Sequence, residues 1–498
     1  MQTKQKIFFS REILAIGIIL LISIFVKIYI SSVFYGQSSD EFANIFLTRE
    51  VFTSGFKDYP ELFMWFYYFI SGLLLFFIND AFIATTTISI IFSTASILVM
   101  YLIVKKIFNQ RLAFWTSLLM LLHPELNLIG SVPLKEPVYT FFILTSLLML
   151  IHSRPFIGAF IIGVAFLTRV EGLLIGMPLY LANIFYFYYG RKIFRIFTIT
   201  LLIFLLFILF MNIWVPRPFE YLFGTFDFHW AKQVQEGDRV TLRLFIGQLF
   251  ITLLRTFKYL FDLIGPNLIF IIPGFSVLLL DKEERKKKRS VLIYFTSLLF
   301  FWFCYIFFFG KIIYNFHRYF YSLIPFIILL TLVGFFQVYK IRRLSLFVLI
   351  MFLLNSMSGY YFYYQNPGRQ YWSISQANKN LLEAGQWIEN NLRYDQTHRL
   401  LIDGIPGFNL FRKRFVKNVV RWDEFINVLV PNDKESFFKF LKTENIKYVV
   451  WSNENYSALT IAPYLKDLKE MNSTYGKLVL IKKWKKSPFT IIVFEFQV

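Results

Sequence analysis

A handful of acidic residues fall where an apolar chain turns: Asp40-Glu41 in Gly36-Gln-Ser-Ser-Asp40-Glu41-Phe-Ala-Asn44, Glu125 in His123-Pro-Glu125, Glu136 in Pro133-Leu-Lys135-Glu136-Pro137, and Glu171 in Arg169-Val-Glu171. Charges are costly near hydrocarbon unless they converge on a polar cavity, so acids with basic neighbours on separate turns point to one shared site. These residue types suit transfer of a group from a lipid-linked phosphate to a hydroxyl or an amine. One carboxylate accepts the acceptor's proton as it attacks, while Arg, Lys, His or a metal ion stabilises the departing phosphate. The bland alternative for Asp40-Glu41 is a solvated pair at a membrane surface. Arg169, Arg318, Lys311 and His317 carry two readings: a clamp on phosphate, which the Arg fork suits, or anchors of helix ends at the headgroups. Anchoring is favoured for Lys311 and polar filling for His317. Asp40, Glu41, Glu125 and Glu136 are hard oxygen ligands of the kind Mg or Mn accepts. Zinc has little support without a Cys or His cluster, and no Gly-rich loop marks a nucleotide site.

The elements that must position these residues are membrane helices. Of 498 residues 57% are hydrophobic, 21% aromatic and only 17% charged, whereas a soluble domain is about a quarter charged. Long apolar runs cover 13–33, 81–104, 194–215, 291–309, 319–339 and 344–364. Shorter ones cover 112–122, 137–151, 156–167, 173–189 and 266–280. The first lacks a small-residue cleavage site and reads as a retained anchor. Run 62–78 decides the orientation. If it lies at the outer interface without crossing, the clusters Lys4/Lys6/Arg11, Lys105/Lys106/Arg111, Arg191/Lys192/Arg195, Lys282 with Arg285 to Arg289, and Lys340/Arg342/Arg343 all face the cytoplasm, as positively charged short loops do. The expectation is an α-helical polytopic membrane protein with about 11–13 transmembrane helices. Most of the net charge of +21 is then an orientation signal rather than a nucleic-acid footprint.

The outer face receives 34–61, 123–136, the turn at 169–171, 216–265, 310–318 and everything after 364. Lys27, inside the anchor, is expected to snorkel outward. Arg255 and Lys258 mark an amphipathic interfacial helix at 242–263 that could line an entry for a lipid tail. Cys304 is expected to be buried and inert. From 365 the sequence turns polar and mixed in sign, so the domains expected are 1–364 in the membrane and 365–498 outside it. Within 365–498, segments 377–392, 434–442 and 459–471 read as helices. Segments 399–402 and 448–451 read as strands, and 478–484 and 489–496 as a hairpin across Ser487-Pro488, giving a small α/β domain.

The anchor, Asp40-Glu41 in the first outer loop (34–61) and Tyr59-Pro60 opening the interfacial run resemble the GT-C superfamily of glycosyltransferases that use polyprenyl-phosphate sugars, such as protein O-mannosyltransferases and the aminoarabinose transferases of lipid A. Ser131 to Phe142 is similar to the family's second acidic loop, Leu167-Thr-Arg169-Val-Glu171-Gly172-Leu to its cationic hairpin, and Arg318-Tyr-Phe-Tyr-Ser-Leu-Ile-Pro325 to its Arg-Tyr…Pro span. The order, spacing and sidedness of these pieces carry the resemblance, which runs over about 13–364. It implies a GT-C fold with an extracytoplasmic α/β domain and an inverting transfer of a sugar to an acceptor outside the cytoplasm: a glycan, a lipid or a protein. Asp40 maps onto the catalytic Asp with Glu41 as its partner, and Glu136 onto the second-loop acid. Arg169, Arg318, Lys135 and His317 map onto the donor-phosphate side, and Asp40, Glu125 and Glu136 are the candidates for a divalent metal. Where the family has His or Lys before the interfacial helix, this chain has Asp58-Tyr-Pro60-Glu61. The plasma (inner) membrane, with the N-terminus inside, is the expected location. A transporter or flippase of lipid-linked sugars is the rival reading, because charged cavities also mark substrate paths. Against it stand the lack of repeated halves and a terminal outer domain that transport does not need.

Overall fold

The computed structural model describes residues 2–33, 44–45, 47–49, 65–169, 171–188, 191–214, 242–280, 285–309, 320–338, 350, 354, 383–385, 387–388, 390–393, 397–403, 419–422, 434–452, 474–475, 477–486 and 489–497. The chain divides into two compact units. The first comprises Met1–Ser31, Ser54–Ile70 and Thr86–Gln365; the second comprises Ser32–Thr53, Ser71–Thr85 and Asn366–Val498.

The helices follow the apolar runs, and their starts follow capping chemistry. They are α1 (Gln2–Val33), α2 (Phe66–Leu75), α3 (Ala81–Ile107), α4 (Gln110–Leu122), α5 (Pro124–Ile129), α6 (Glu136–Ile151), α7 (Pro155–Thr168), α8 (Met177–Phe187), α9 (Arg191–Trp214), α10 (Leu242–Ile264), α11 (Ile271–Leu280), α12 (Arg285–Phe309) and α13 (Ile324–Val338). Asp80 Oδ1 accepts from the amides of Phe82 and Ile83 at 3.0 and 3.1 Å, and Asn109 Oδ1 accepts from Leu112 N at 2.9 Å, so each supplies an acceptor to the first turn. Proline stands in the first turn of α5, α6, α7 and α8, where its missing N–H costs nothing.

Among the described residues four helical stretches are long and apolar enough to span a bilayer: Glu12–Ser32, Ala81–Ile107, Lys192–Leu209 and Phe320–Val338, or five if the bent pair Leu249–Phe261 and Gly265–Leu280 is one span. Helix α2 has ten residues, about 15 Å, half of the hydrocarbon thickness. Of the interfacial run 62–78, residues 62–64 lie outside the described set, and Phe76 and Phe77 form an exposed turn at its end. In α13 every residue from Ile324 to Phe335 is buried, so this helix is the inner axis of the bundle. Helix α11 crosses it backbone to backbone. A Cβ on Gly274 would overlap the Leu330 carbonyl, and one on Gly334 would overlap the Phe270 carbonyl, so only glycine permits the approach.

Two expectations fail here. Lys27 does not snorkel: it is fully buried and donates to Ser23 Oγ at 2.6 Å and Asn127 Oδ1 at 3.1 Å. It faces the bundle, where these acceptors replace water. Cys304 is half-buried rather than sealed in the core.

The C-terminal sheet runs β2-β1-β3-β6-β5-β4 from β1 (Arg399–Asp403), β2 (Val419–Trp422), β3 (Ile446–Ser452), β4 (Thr474–Tyr475), β5 (Leu478–Lys486) and β6 (Phe489–Phe496). β1 pairs parallel with β2 and β3, and the other pairings are antiparallel. The expected hairpin is β5–β6, with Lys486 opposite Phe489. In β3 and β6 consecutive residues are buried, Tyr448-Val449-Val450 and Ile492-Val493-Phe494, so both faces are covered. Helix α14 (Lys434–Thr443) buries Phe437 and Leu441, and Ala384, Ile388 and Leu392 are buried at helical spacing. Segment 459–471 lies outside the described residues.

Candidate active site

Segment 123–136, expected to open on the outer face, is packed into the bundle. Residues 123–134 are buried throughout, with α5 in their midst, and Lys135 is half-buried. The polar groups of this segment are satisfied from α3, whose Ser89 and Ser93 lie one turn apart on one face. Ser89 Oγ donates to Leu134 O at 2.9 Å and shares a 3.2 Å hydrogen bond with the Tyr67 hydroxyl. Ser93 Oγ reaches Leu126 O at 3.3 Å and the Tyr321 hydroxyl at 2.8 Å. Asn127, held by Lys27, donates to Leu121 O at 2.6 Å and so satisfies a carbonyl at the end of α4.

This scaffold sets Glu136 in the first turn of α6, where the helix dipole favours an acid. Opposite it, α7 ends at Arg169. The Arg169 guanidinium bridges two carboxylates: Nη1 lies 2.5 Å from Glu136 Oε1, while Nη2 and Nε donate to Glu171 Oε1 and Oε2 at 2.6 and 3.1 Å. The side chains are 13%, 6% and 9% exposed for Arg169, Glu136 and Glu171. Burial alone would raise the Glu171 carboxyl, yet the Arg169 charge and hydrogen bonds hold it below the usual carboxylate range. A π-helical turn, Gly172–Gly176, follows Glu171, and a Cβ at Gly172 would strike the backbone of Phe166, so the return stays tight against α7. Lys135 is within electrostatic reach of Glu171, and its ammonium lies 4.9 Å from the centre of the Tyr68 ring. Tyr321, in the short 3₁₀ turn Phe320–Leu323, lies within reach of Glu136.

His123 and Glu125 are both buried. Burial pushes the His123 imidazole down to about 4, against the raising effect of the Leu263 carbonyl at 3.0 Å, so the ring is neutral near pH 7. Nε2 then donates to that carbonyl and Nδ1 is left as an acceptor, without a hydrogen-bond partner among the described residues. Two further buried hydroxyls without such partners, Tyr139 and Thr140, follow Glu136 on α6.

The structure therefore gathers Lys135, Glu136, Arg169 and Glu171 at one end of the bundle. Asp40, Glu41, Lys311, His317 and Arg318 lie outside the described residues. No three His, Cys, Asp or Glu side chains gather among the described residues, and Glu136 faces a guanidinium. Asp40 and Glu41, the other oxygen ligands expected for a divalent ion, lie outside the described residues. In the sequence α3 looks like a plain span, and neither Ser89 and Ser93 nor the Lys27–Asn127 bond stands out there. The four-residue spacing of Ser89 and Ser93 was the available signal.

No family model matches the sequence, and no curated protein matches it either. Solved structures do. The apo structure of ArnT from Cupriavidus metallidurans matches with a TM-score of 0.61 at 13% identity, over 96% of this chain and 97% of that one. The same protein bound to undecaprenyl phosphate gives 0.60 over the same shares at 13% identity. The oligosaccharyltransferase AglB from Archaeoglobus fulgidus, in complex with an inhibitory peptide and a dolichol-phosphate, gives 0.54 at 14% identity over 88% of this chain and 69% of that one. Both neighbours are GT-C glycosyltransferases, one an aminoarabinose transferase. The chain is a polytopic, largely helical membrane protein with a small C-terminal sheet, and its fold is that of the GT-C glycosyltransferases.

Proposed function

We propose that the protein is an inverting glycosyltransferase that moves a sugar from a polyprenyl-phosphate donor to an acceptor on the extracytoplasmic side of the plasma membrane. The observation that carries this reading is the buried Glu136–Arg169–Glu171 bridge, a costly arrangement near hydrocarbon, at one end of a bundle with the GT-C fold. ArnT bound to undecaprenyl phosphate and AglB in complex with dolichol-phosphate support a lipid-linked donor, and an AglB tethered to an acceptor peptide supports a separate acceptor.

In the reaction the acceptor's hydroxyl or amine attacks the anomeric carbon as the bond to the phosphate oxygen breaks, which inverts the centre. Asp40 takes the acceptor's proton, and Glu41 orients the acceptor beside it. Arg169, Lys135, Arg318 and His317 supply the positive charge and donors that stabilise the departing phosphate. Glu136 and Glu171 hold the Arg169 fork in one orientation, so its charge is in place before the phosphate leaves and no reorganisation is needed at that moment. Lys135 brings the net charge of this group to zero, which lets a phosphate approach two glutamates.

Incubation of purified protein with a polyprenyl-phosphate sugar and acceptor tests the reading through release of free polyprenyl phosphate. Asp40→Asn should abolish release while leaving the thermal unfolding profile unchanged. Full activity in that variant would refute the assignment of the base. Transport of intact donor without release would favour the flippase reading instead.

A further inference from the structure

The first outer loop carries, just after Asp40-Glu41, a short stretch that an exposed loop would not need to bury. Residues 44–45 and 47–49 are helical, and Asn44, Ile45, Thr48 and Arg49 are buried, Ile45 and Thr48 completely. Positions 44/45 and 48/49 are one turn apart, so they share a face. Ile45 packs with Ala81 and Phe82 at the start of α3, and Leu75 at the end of α2 covers the same cluster. Arg49 Nη2 donates to Asn79 Oδ1 at 3.1 Å. An apolar plug and a charge-assisted hydrogen bond therefore dock this part of the loop on the elbow between α2 and α3.

The elbow is a firm platform. The amides of Phe77 and Ile78 donate to Leu74 O at 3.0 and 2.8 Å, and Asp80 N donates to Ile78 O at 2.7 Å. Asp80 then caps α3 through the amides of Phe82 and Ile83, so the turn is closed from both sides. Asn44 follows Glu41 by three steps of chain, at most about 10 Å. The docked residues, the elbow and residues 40–41 all belong to one compact unit. A misplacement of about 1 Å can cost a catalyst 100-fold, and a surface loop holds its residues that closely only when something ties it down.

We infer that Arg49 is a positioning residue for the transfer: through Asn79 it docks the first outer loop on the α2–α3 elbow and so holds Asp40 and Glu41 at the acceptor. The catalytic consequence rests on the transferase reading; the docking rests on the Arg49–Asn79 and Ile45 contacts alone.

Full-length protein in detergent is compared with Asn79→Leu, Asn79→Asp and Arg49→Met by hydrogen exchange and by release of polyprenyl phosphate. Asn79 is exposed, so its replacement spares the core even where loss of the buried Arg49 would not. In Asn79→Leu the amides of 44–49 should exchange at least about tenfold faster while those of α13 keep wild-type protection. In the same variant kcat should fall about 10- to 100-fold with the donor KM within about twofold, because other elements grip the phosphate. Arg49→Met should repeat this pattern, and Asn79→Asp, which keeps the acceptor, should retain wild-type exchange and turnover. Wild-type exchange of 44–49 in Asn79→Leu would overturn the docking. Faster exchange with unchanged kcat, or a loss that falls on the donor KM, would overturn the positioning. Wild-type protein that releases no polyprenyl phosphate would overturn the transferase reading and the positioning with it, while exchange still decides the docking.

Discussion

At the scale of single residues, Arg169 and Glu171 show why a buried bridge is both costly and firm. Desolvation works against each charge, and the Arg169–Glu171 pair survives because two hydrogen bonds and the charge on Arg169 outweigh burial. Removing one partner leaves the other stranded, so Arg169→Met should cost about 3–5 kcal/mol in detergent unfolding, whereas a surface change costs a few tenths. The pH dependence has a definite sign. Glu171 titrates lower in the folded state than in the unfolded one, where its pKa is about 4.3. Its contribution is therefore fully present above that value and is lost as pH falls through the lower folded value. The gap in unfolding temperature between wild type and Glu171→Gln should be constant from pH 8 to 6 and close only below about pH 4. A gap that already closes at pH 6 would mean that Glu171 is raised, not lowered. At this scale the sequence showed which residues were unusual, because acids and bases next to apolar runs are conspicuous. It left Arg169 between a phosphate clamp and a helix-end anchor and did not show that two glutamates hold it, since the contact of Arg169 with Glu136 joins segments far apart in the chain.

At the scale of elements, the runs 137–151 and 156–167 foretold α6 and α7 nearly to the residue, because proline marks their starts and the following turns mark their ends. The segment 123–136, expected to open on the outer face, is packed into the bundle with a short helix in it, which its sequence does not announce. Its amides and carbonyls are answered by hydroxyls on α3, a tertiary fact. Close helix approach was equally hidden: Gly274 and Gly334 look like any glycine in an apolar run, yet they set the α11–α13 crossing. Gly334→Ala drives a methyl into the Phe270 carbonyl, a backbone atom that cannot turn aside. It should cost about 1–3 kcal/mol by thermal unfolding, while Gly17→Ala, with open space around it, should cost nothing measurable. Equal stability of the two variants would remove this crossing as a packing constraint.

At the scale of the whole molecule, the orientation we propose follows from the basic clusters. A cysteine placed at Arg285 in a Cys304→Ala background should resist a membrane-impermeant thiol reagent in intact cells and react after lysis; labelling in intact cells would invert the arrangement. The C-terminal sheet was legible in its hydrophobic strands, and β3, β5 and β6 fall close to where the pattern put them. β2 and β4 were not seen, because strands of four and two residues carry too little periodicity to stand out from their surroundings.

The sequence alone determined that the protein lives in a membrane, where its helices begin, and which charged residues need a reason to be there. Those properties depend on local composition and on transfer of each residue from water, so they can be read along the chain. Only the tertiary structure decided which polar groups meet: Arg169 with Glu136 and Glu171, and Lys27 with Asn127. Pairing energies depend on distance and on exclusion of water, and both are set by helices far apart in sequence packing side by side.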